Sequence, residues 1–197
     1  MDLNTSMGTG PDGILAIFLN NCTNQLTIPL HHIFNCSLDQ GHFPDSWKIS
    51  YLKHILKSGE PHYIANYRPI SVLNACANLM EKLMADNMHS LLFHSIISQQ
   101  QGFVHGRSTV TNLALFTHFI NEAFSNGSQV DVIYNDYSRA FASVNHIRFD
   151  GKLNNFGIRG PLLRWFESYL CGRIQSVKIK NSVSDPFLVT FGVPQGS

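Results

Sequence analysis

Ile174-Gln175-Ser176-Val177-Lys178-Ile179-Lys180 and Phe187-Leu188-Val189-Thr190-Phe191 flank the turn-forming run Asn181-Ser182-Val183-Ser184-Asp185-Pro186. Two short apolar segments joined so closely read as a hairpin. Just upstream, Pro161 to Leu170 places Leu162, Leu163, Trp165, Phe166, Tyr169 and Leu170 at helical spacing. Helices interspersed with hairpin-joined strands predict an α+β fold rather than a doubly wound parallel sheet.

Further toward the N-terminus, Val130 to Asp136 alternates as a strand. The run after Thr109, with Leu113, Phe116, Phe119, Ile120, Ala123 and Phe124, predicts a helix that stops at Asn126-Gly127. Asn74 stands as a cap before a second amphipathic helix carrying Cys76, Leu79, Met80, Leu83, Met84, Met88, Leu91 and Leu92. Methionine and phenylalanine stripes of this kind predict core. Trp47 to Leu56 reads as a strand with Trp47, Ile49, Tyr51 and Ile55 on its apolar face. Ile14 to Leu19 and Leu26 to Leu38 predict two short helices before Gly41.

The length of 197 residues and a hydrophobic content of 44% suit one domain with a real core, which argues against disorder and fibrous repeats. Lys+Arg 14 against Asp+Glu 13 leaves a net charge of +1, so a nucleic-acid role has to rest on local residues. A charged fraction of 14% is low for a free-standing domain and suggests a piece of something larger. No apolar run is long enough to span a bilayer, and the polar start Met1 to Ser6 lacks the features of a secretory signal, so the expected setting is intracellular. The sequons at Asn4, Asn21, Asn35 and Asn126 then have no role. Cys22, Cys36, Cys76 and Cys171 form no Cys-x-x-Cys pair and predict buried free thiols. His31, His32, Cys36 and His42 lack the second half of a zinc site. No Gly-x-Gly-x-x-Gly or Walker-type loop is present.

Three places bear chemistry. In the segment 130–136, period two puts Val130, Val132, Tyr134 and Asp136 on one face, so an apolar strand face ends in a carboxylate. Spacing leaves two readings open: a cap for the turn at Tyr137 to Phe141, or a Mg²⁺ ligand on a rigid strand. Asp131 is no partner, because five residues of strand span roughly 16 Å and an odd offset reverses the face. Nothing directs Asp150 either, so the chain carries half of a two-metal site. The second place is Asn66-Tyr67-Arg68-Pro69-Ile70-Ser71 behind Lys57-Ser58-Gly59, where a point charge and a bidentate fork flank a turn as a triphosphate requires, though solvated surface charges read the same way. The third is Gly192-Val193-Pro194-Gln195-Gly196-Ser197, either an ordinary turn or an open loop that a base or sugar can approach closely.

In this order the segments resemble the reverse transcriptase domain of non-long-terminal-repeat retrotransposons, LINE-like elements of the jockey type. The matching stretches are Gly10-Pro11-Asp12-Gly13-Ile14, Phe43-Pro44-Asp45-Ser46-Trp47-Lys48, Asn66 to Ser71, Gln100-Gln101-Gly102-Phe103 with Gly106-Arg107-Ser108-Thr109, Asp131 to Phe141, Ser168-Tyr169-Leu170-Cys171-Gly172-Arg173, and Gly192 to Ser197. The resemblance implies the fingers and partial palm of a right-hand polymerase, with N-terminal and fingers elements in residues 1–124 and palm elements in 125–197. It implies Asp136 as the first catalytic, metal-binding aspartate, with the Tyr137 backbone carbonyl on the same Mg²⁺. Phe141 corresponds to the aromatic gate against a 2′-hydroxyl. Arg68 and Lys57 correspond to triphosphate-binding groups, and Gln195 and Gly196 to the nucleotide pocket. The implied partners are an RNA template, a DNA primer and deoxynucleoside triphosphates, without a membrane.

The chain departs from the family in two ways. Ala140-Phe141-Ala142 stands where the family reads Ala-Phe-Asp, and the sequence stops at Ser197, before the paired-aspartate turn and the thumb. The resulting expectation is a fragment of an RNA-directed DNA polymerase, inactive by itself. The alternative is a relic of the same fold that binds RNA or a partner without chemistry.

Overall fold

Leucine and phenylalanine at helical spacing build the first two helices, α1 (Ala16–Asn21) and α2 (Thr23–Gln40). Helix α2 buries Leu30 and Phe34, and it ends where Gly41 adopts a φ of 66°. The computed structural model describes residues 8–196. The opening run Met1 to Ser6, its sequon at Asn4 and the terminal Ser197 lie outside the described residues. The chain divides into two units, one formed by the segments up to Met88 and from Arg139 onward, the other by His89–Ser138.

The first unit continues through β1 (Ile49–Leu56) and β2 (Tyr67–Val72) into α3 (Ala75–Leu92), whose buried residues Ala75, Ala77, Leu79 and Met80 all lie in its first two turns. After the second unit, which holds α4 (Thr109–Ser125), come α5 (His146–Asn155), α6 (Gly160–Leu170), β3 (Arg173–Ile179), β4 (Ser182–Val183) and β5 (Phe187–Val189). The sheet is mixed, in the order β2-β1-β3-β4 with β5 also on β3. Strand β1 is antiparallel to β2 and parallel to β3, and the expected hairpin appears as antiparallel β3 and β5. The fold is thus mixed α+β.

The core joins α2 to α6 through aromatic rings. Phe43, fully buried, meets Trp47, Trp165 and Tyr169 edge-on with centroids 5.9, 5.4 and 5.1 Å away. The buried Trp165 indole N–H donates to Ser37 Oγ at 2.9 Å, so its polar atom is satisfied inside the core. A Cβ at Gly41 would lie 2.8 Å from the Pro161 carbonyl oxygen, so glycine lets the end of α2 close on α6.

Several expectations are corrected. Residues 130–136 form no strand, and no strand among the described residues pairs with them. Alternation defines a face, but a strand exists only where a neighbour accepts its ladder bonds. At the start of β1 the phase is inverted: Lys48, just before the strand, and Ser50 are buried at 7% and 0% exposure, while Ile49 and Ile55 are exposed. The Lys48 ammonium reaches Asp45 at 2.9 Å, which lets a charged residue take the inner position.

Helix α4 forms where expected but buries none of its residues. It is held instead by a capping box between Ser108 and Thr111. Asn145 caps α5, and the stretch at 67–72 is a strand not anticipated. The cysteines are free, but Cys171 is exposed and the other three only partly buried. Burial pushes the Cys76 thiol above its ordinary range.

Candidate functional site

Strand β2 is an edge strand, and its sequence fits that position. Ser71 turns its backbone N–H outward, away from β1, to the Gln195 carbonyl at 2.8 Å. Two residues earlier Pro69 occupies the equivalent outward position, where a missing N–H costs no ladder bond. The loop after β5 therefore lies along the free edge of β2. Gly196 sits against Ile70, with an ideal Cβ only 2.7 Å from Ile70 Cγ2.

Arg68 is exposed and shares the strand face of Ile70 by the period of two. Lys57 follows β1 directly, its N–H donating to the Asn66 carbonyl at 2.7 Å, so it stands at the β1 to β2 connection two residues beyond Ile55, the partner of Arg68. Arg68 and the Gln195-Gly196 loop thus share the edge strand β2, while Lys57 lies at the end of the neighbouring β1.

The same loop is pinned at its other end to the segment that carries Phe141. Gly192 N–H donates to the Val144 carbonyl at 2.8 Å and Val193 N–H to the Phe141 carbonyl at 3.0 Å. Gly192 has a φ of 83°, and an added Cβ would stand 2.8 Å from Ala142 Cα and 2.9 Å from the Phe141 oxygen. Position 192 therefore accepts only glycine on two counts, backbone region and space. Gly192 thus abuts the backbone of Ala142. Phe141 is 38% exposed.

A side chain also clamps this junction. His146 Nε2–H donates to the Gly192 carbonyl at 2.7 Å, and Asn145 caps α5 by accepting the Arg148 N–H at 3.0 Å, which sets His146 on the first turn. One turn further along α5, Asp150 has its carboxyl pushed above the usual range, by burial first and then by the charge of Glu167, with His146 opposing. Sequence reasoning passed over His146. The signal available was a capping residue, Asn145, placing a histidine at the start of a helix.

Asp136 and Tyr137 lie in the second unit, in the stretch after α4 that has no regular structure, and both are exposed. Tyr134 in this stretch rests against Phe116 of α4 with ring centroids 6.4 Å apart, and Asp131 accepts from the Gln129 amide at 3.0 Å. Asp136 and the Tyr137 carbonyl are hard oxygen donors of the kind that would suit Mg²⁺, and both residues are exposed. Among the described residues no group of three or more His, Cys, Asp or Glu converges as a metal cage. Mg²⁺ does not need one, since it binds through one or two carboxylates together with substrate phosphates.

Comparison with known proteins adds an independent finding. The family model described as reverse transcriptase (RNA-dependent DNA polymerase) matches residues 55–197. The chain is 33% identical over 168 residues to a probable RNA-directed DNA polymerase from transposon BS of Drosophila melanogaster, covering 84% of this chain and 18% of that protein. It is 30% identical over 191 residues to the corresponding protein of transposon X-element, also from Drosophila melanogaster, with 95% and 21% covered. Against the RNA-directed DNA polymerase from mobile element jockey of the same fly it is 30% identical over 168 residues, with 84% and 18% covered. The chain spans about a fifth of the length of these curated relatives.

Proposed function

This chain belongs to the reverse transcriptase (RNA-dependent DNA polymerase) family, and from that premise we propose that it supplies fingers and palm elements to an RNA-directed DNA polymerase of a jockey-like, non-long-terminal-repeat retrotransposon. In this reading residues 1–124 are N-terminal and fingers elements and 125–197 belong to the palm. The reaction joins a primer 3′-oxygen to the α-phosphorus of a deoxynucleoside triphosphate, breaks the bond from that phosphorus to the β-phosphate bridge, and releases pyrophosphate. The partners are an RNA template, a DNA primer and deoxynucleoside triphosphates, in the intracellular setting where these meet.

The observation that carries the reading is the hydrogen bond from Ser71 N–H to the Gln195 carbonyl, which seats the terminal loop on the strand that bears Arg68. Arg68 offers a planar fork to phosphate oxygens, with Lys57 as a point charge beside it. Phe141, whose carbonyl accepts the Val193 N–H, is the ring that would stand against the sugar and exclude a 2′-hydroxyl. Gln195 and Gly196 line the base and sugar side of the pocket. Asp136 and the Tyr137 carbonyl are the groups that would hold Mg²⁺, an ion that neutralises phosphate charge in phosphoryl transfer.

The test is binding of dTTP to this chain in Mg²⁺ buffer. Arg68→Ala is expected to raise Kd roughly 10- to 100-fold, the equivalent of one charge-assisted phosphate contact, while the melting temperature stays put. Phe141→Ala is expected to narrow the preference for dUTP over UTP, which differ only at the 2′ position. Unchanged affinity in the first variant removes Arg68 from the pocket, and unchanged sugar preference in the second removes the gate.

A further inference from the structure

The loop from Gly192 to Gly196 has no regular structure of its own, so something must fix its shape before a nucleotide arrives. Three backbone bonds attach it, to Val144, Phe141 and Ser71. The fourth attachment differs in kind. His146 Nε2–H donates to the Gly192 carbonyl at 2.7 Å, half-buried, and reaches the loop from a helix whose first turn is held by the Asn145 cap.

That carbonyl belongs to the peptide joining Gly192 to Val193. The N–H of the same peptide donates to Phe141, so His146 and Phe141 grip its two ends. Rotation of this peptide would swing the following Pro194-Gln195-Gly196 segment relative to the Phe141 ring. With the imidazole in place the peptide has one orientation, and the spacing between gate and loop is set.

We propose that His146 is a positioning residue for the nucleotide pocket: it holds the Gly192 to Val193 peptide, and through it sets Gln195 and Gly196 at the distance from Phe141 that an incoming deoxynucleotide requires. The inference rests on the nucleotide-pocket reading above. His146 touches no substrate in this role. Its donor works through the loop.

The experiment compares wild type, His146→Phe, His146→Gln and Arg68→Ala in the full chain. Each is measured for dTTP affinity in Mg²⁺, amide hydrogen exchange across 192–196, and melting temperature. Phenylalanine keeps the ring volume without the donor. Glutamine places an amide N–H near the position of Nε2.

His146→Phe is expected to weaken dTTP binding about 5- to 30-fold and to speed exchange at Val193, the loss of one half-buried hydrogen bond to a carbonyl left without its partner. His146→Gln restores both. If Arg68→Ala weakens binding and His146→Phe does not, the inference is overturned while the pocket stands. A His146→Gln variant as weak as His146→Phe also overturns it, because the donor would then not be what matters. If wild type binds no dTTP, or Arg68→Ala binds as well as wild type, the pocket reading itself falls and takes the inference with it.

Discussion

Asp150 shows how a single side chain reports on its surroundings. Its carboxyl is pushed up by burial and by Glu167, and Oδ1 is buried without a hydrogen-bond partner among the described residues. A carboxyl whose folded pKa is raised is bound by more protons in the native state than in the unfolded one, so stability declines as pH climbs from the ordinary carboxylate range through the raised value. Asp150→Asn removes that cost. The variant is expected to melt above wild type at pH 7 and to lose its advantage near pH 3, where Asp150 is protonated in both states. A set of melting curves from pH 3 to 7 checks this, and a constant offset would assign the effect to packing instead. Asp45 runs the other way. Lys48 beside it holds its carboxyl below the usual range, so the contribution of that pair is present above the ordinary carboxylate pKa and is lost as pH falls through the lowered one.

At the scale of elements, helix and strand answer to different physics. Helix α6 was legible from its own residues because one stripe, Trp165 to Leu170, both forms the helix and fills the core. Phe43, in the turn after α2, owes its importance to one nearby ring, Trp47, and two that arrive from far along the chain, Trp165 and Tyr169. Phe43→Ala is expected to cost about 3–5 kcal/mol, read as a lowered urea midpoint with little change in slope, because the rings around it cannot collapse into the gap.

Strand β1 carries the opposite lesson. Its apolar alternation was visible, but the buried row of the sheet is polar, with Lys48, Ser50, Ser71, Arg173 and Gln175 inside. The Arg173 guanidinium lies over the Tyr169 ring at 5.0 Å and donates to the Tyr169 carbonyl, so α6 supplies what the strand cannot. The outward row is apolar, Ile49 beside Ile174 beside Leu188.

Taken as a whole, the molecule divides its burial unevenly. In the unit His89–Ser138 Val104 is the one buried side chain among the described residues, and the α4 residues Leu113, Phe119 and Phe124 are all exposed. The other unit holds the aromatic core. Amides of α4 are therefore expected to exchange with solvent faster than those of β1 or α6, since local opening costs little where few apolar contacts are lost. Peptide-resolved hydrogen exchange checks this, and equal protection in α4 and α6 would mean that α4 is covered in solution.

The ordered motifs were sufficient for the family, and the match over residues 55–197 bears that out. Periodicity was sufficient for α2, α3, α4 and α6 and for the β3 to β5 hairpin, because helical bonds and short-range pairing form between residues close in sequence. The edge position of β2, which makes Pro69 harmless, depended on tertiary structure. So did the seating of Gln195 on Ser71 and the grip of His146 on Gly192. Each of these joins residues far apart along the chain, and the polar face inside the sheet arises in the same way. No local pattern encodes such a pairing, because the free energy that selects it comes from burying both partners at once, and that happens only when the whole unit has closed.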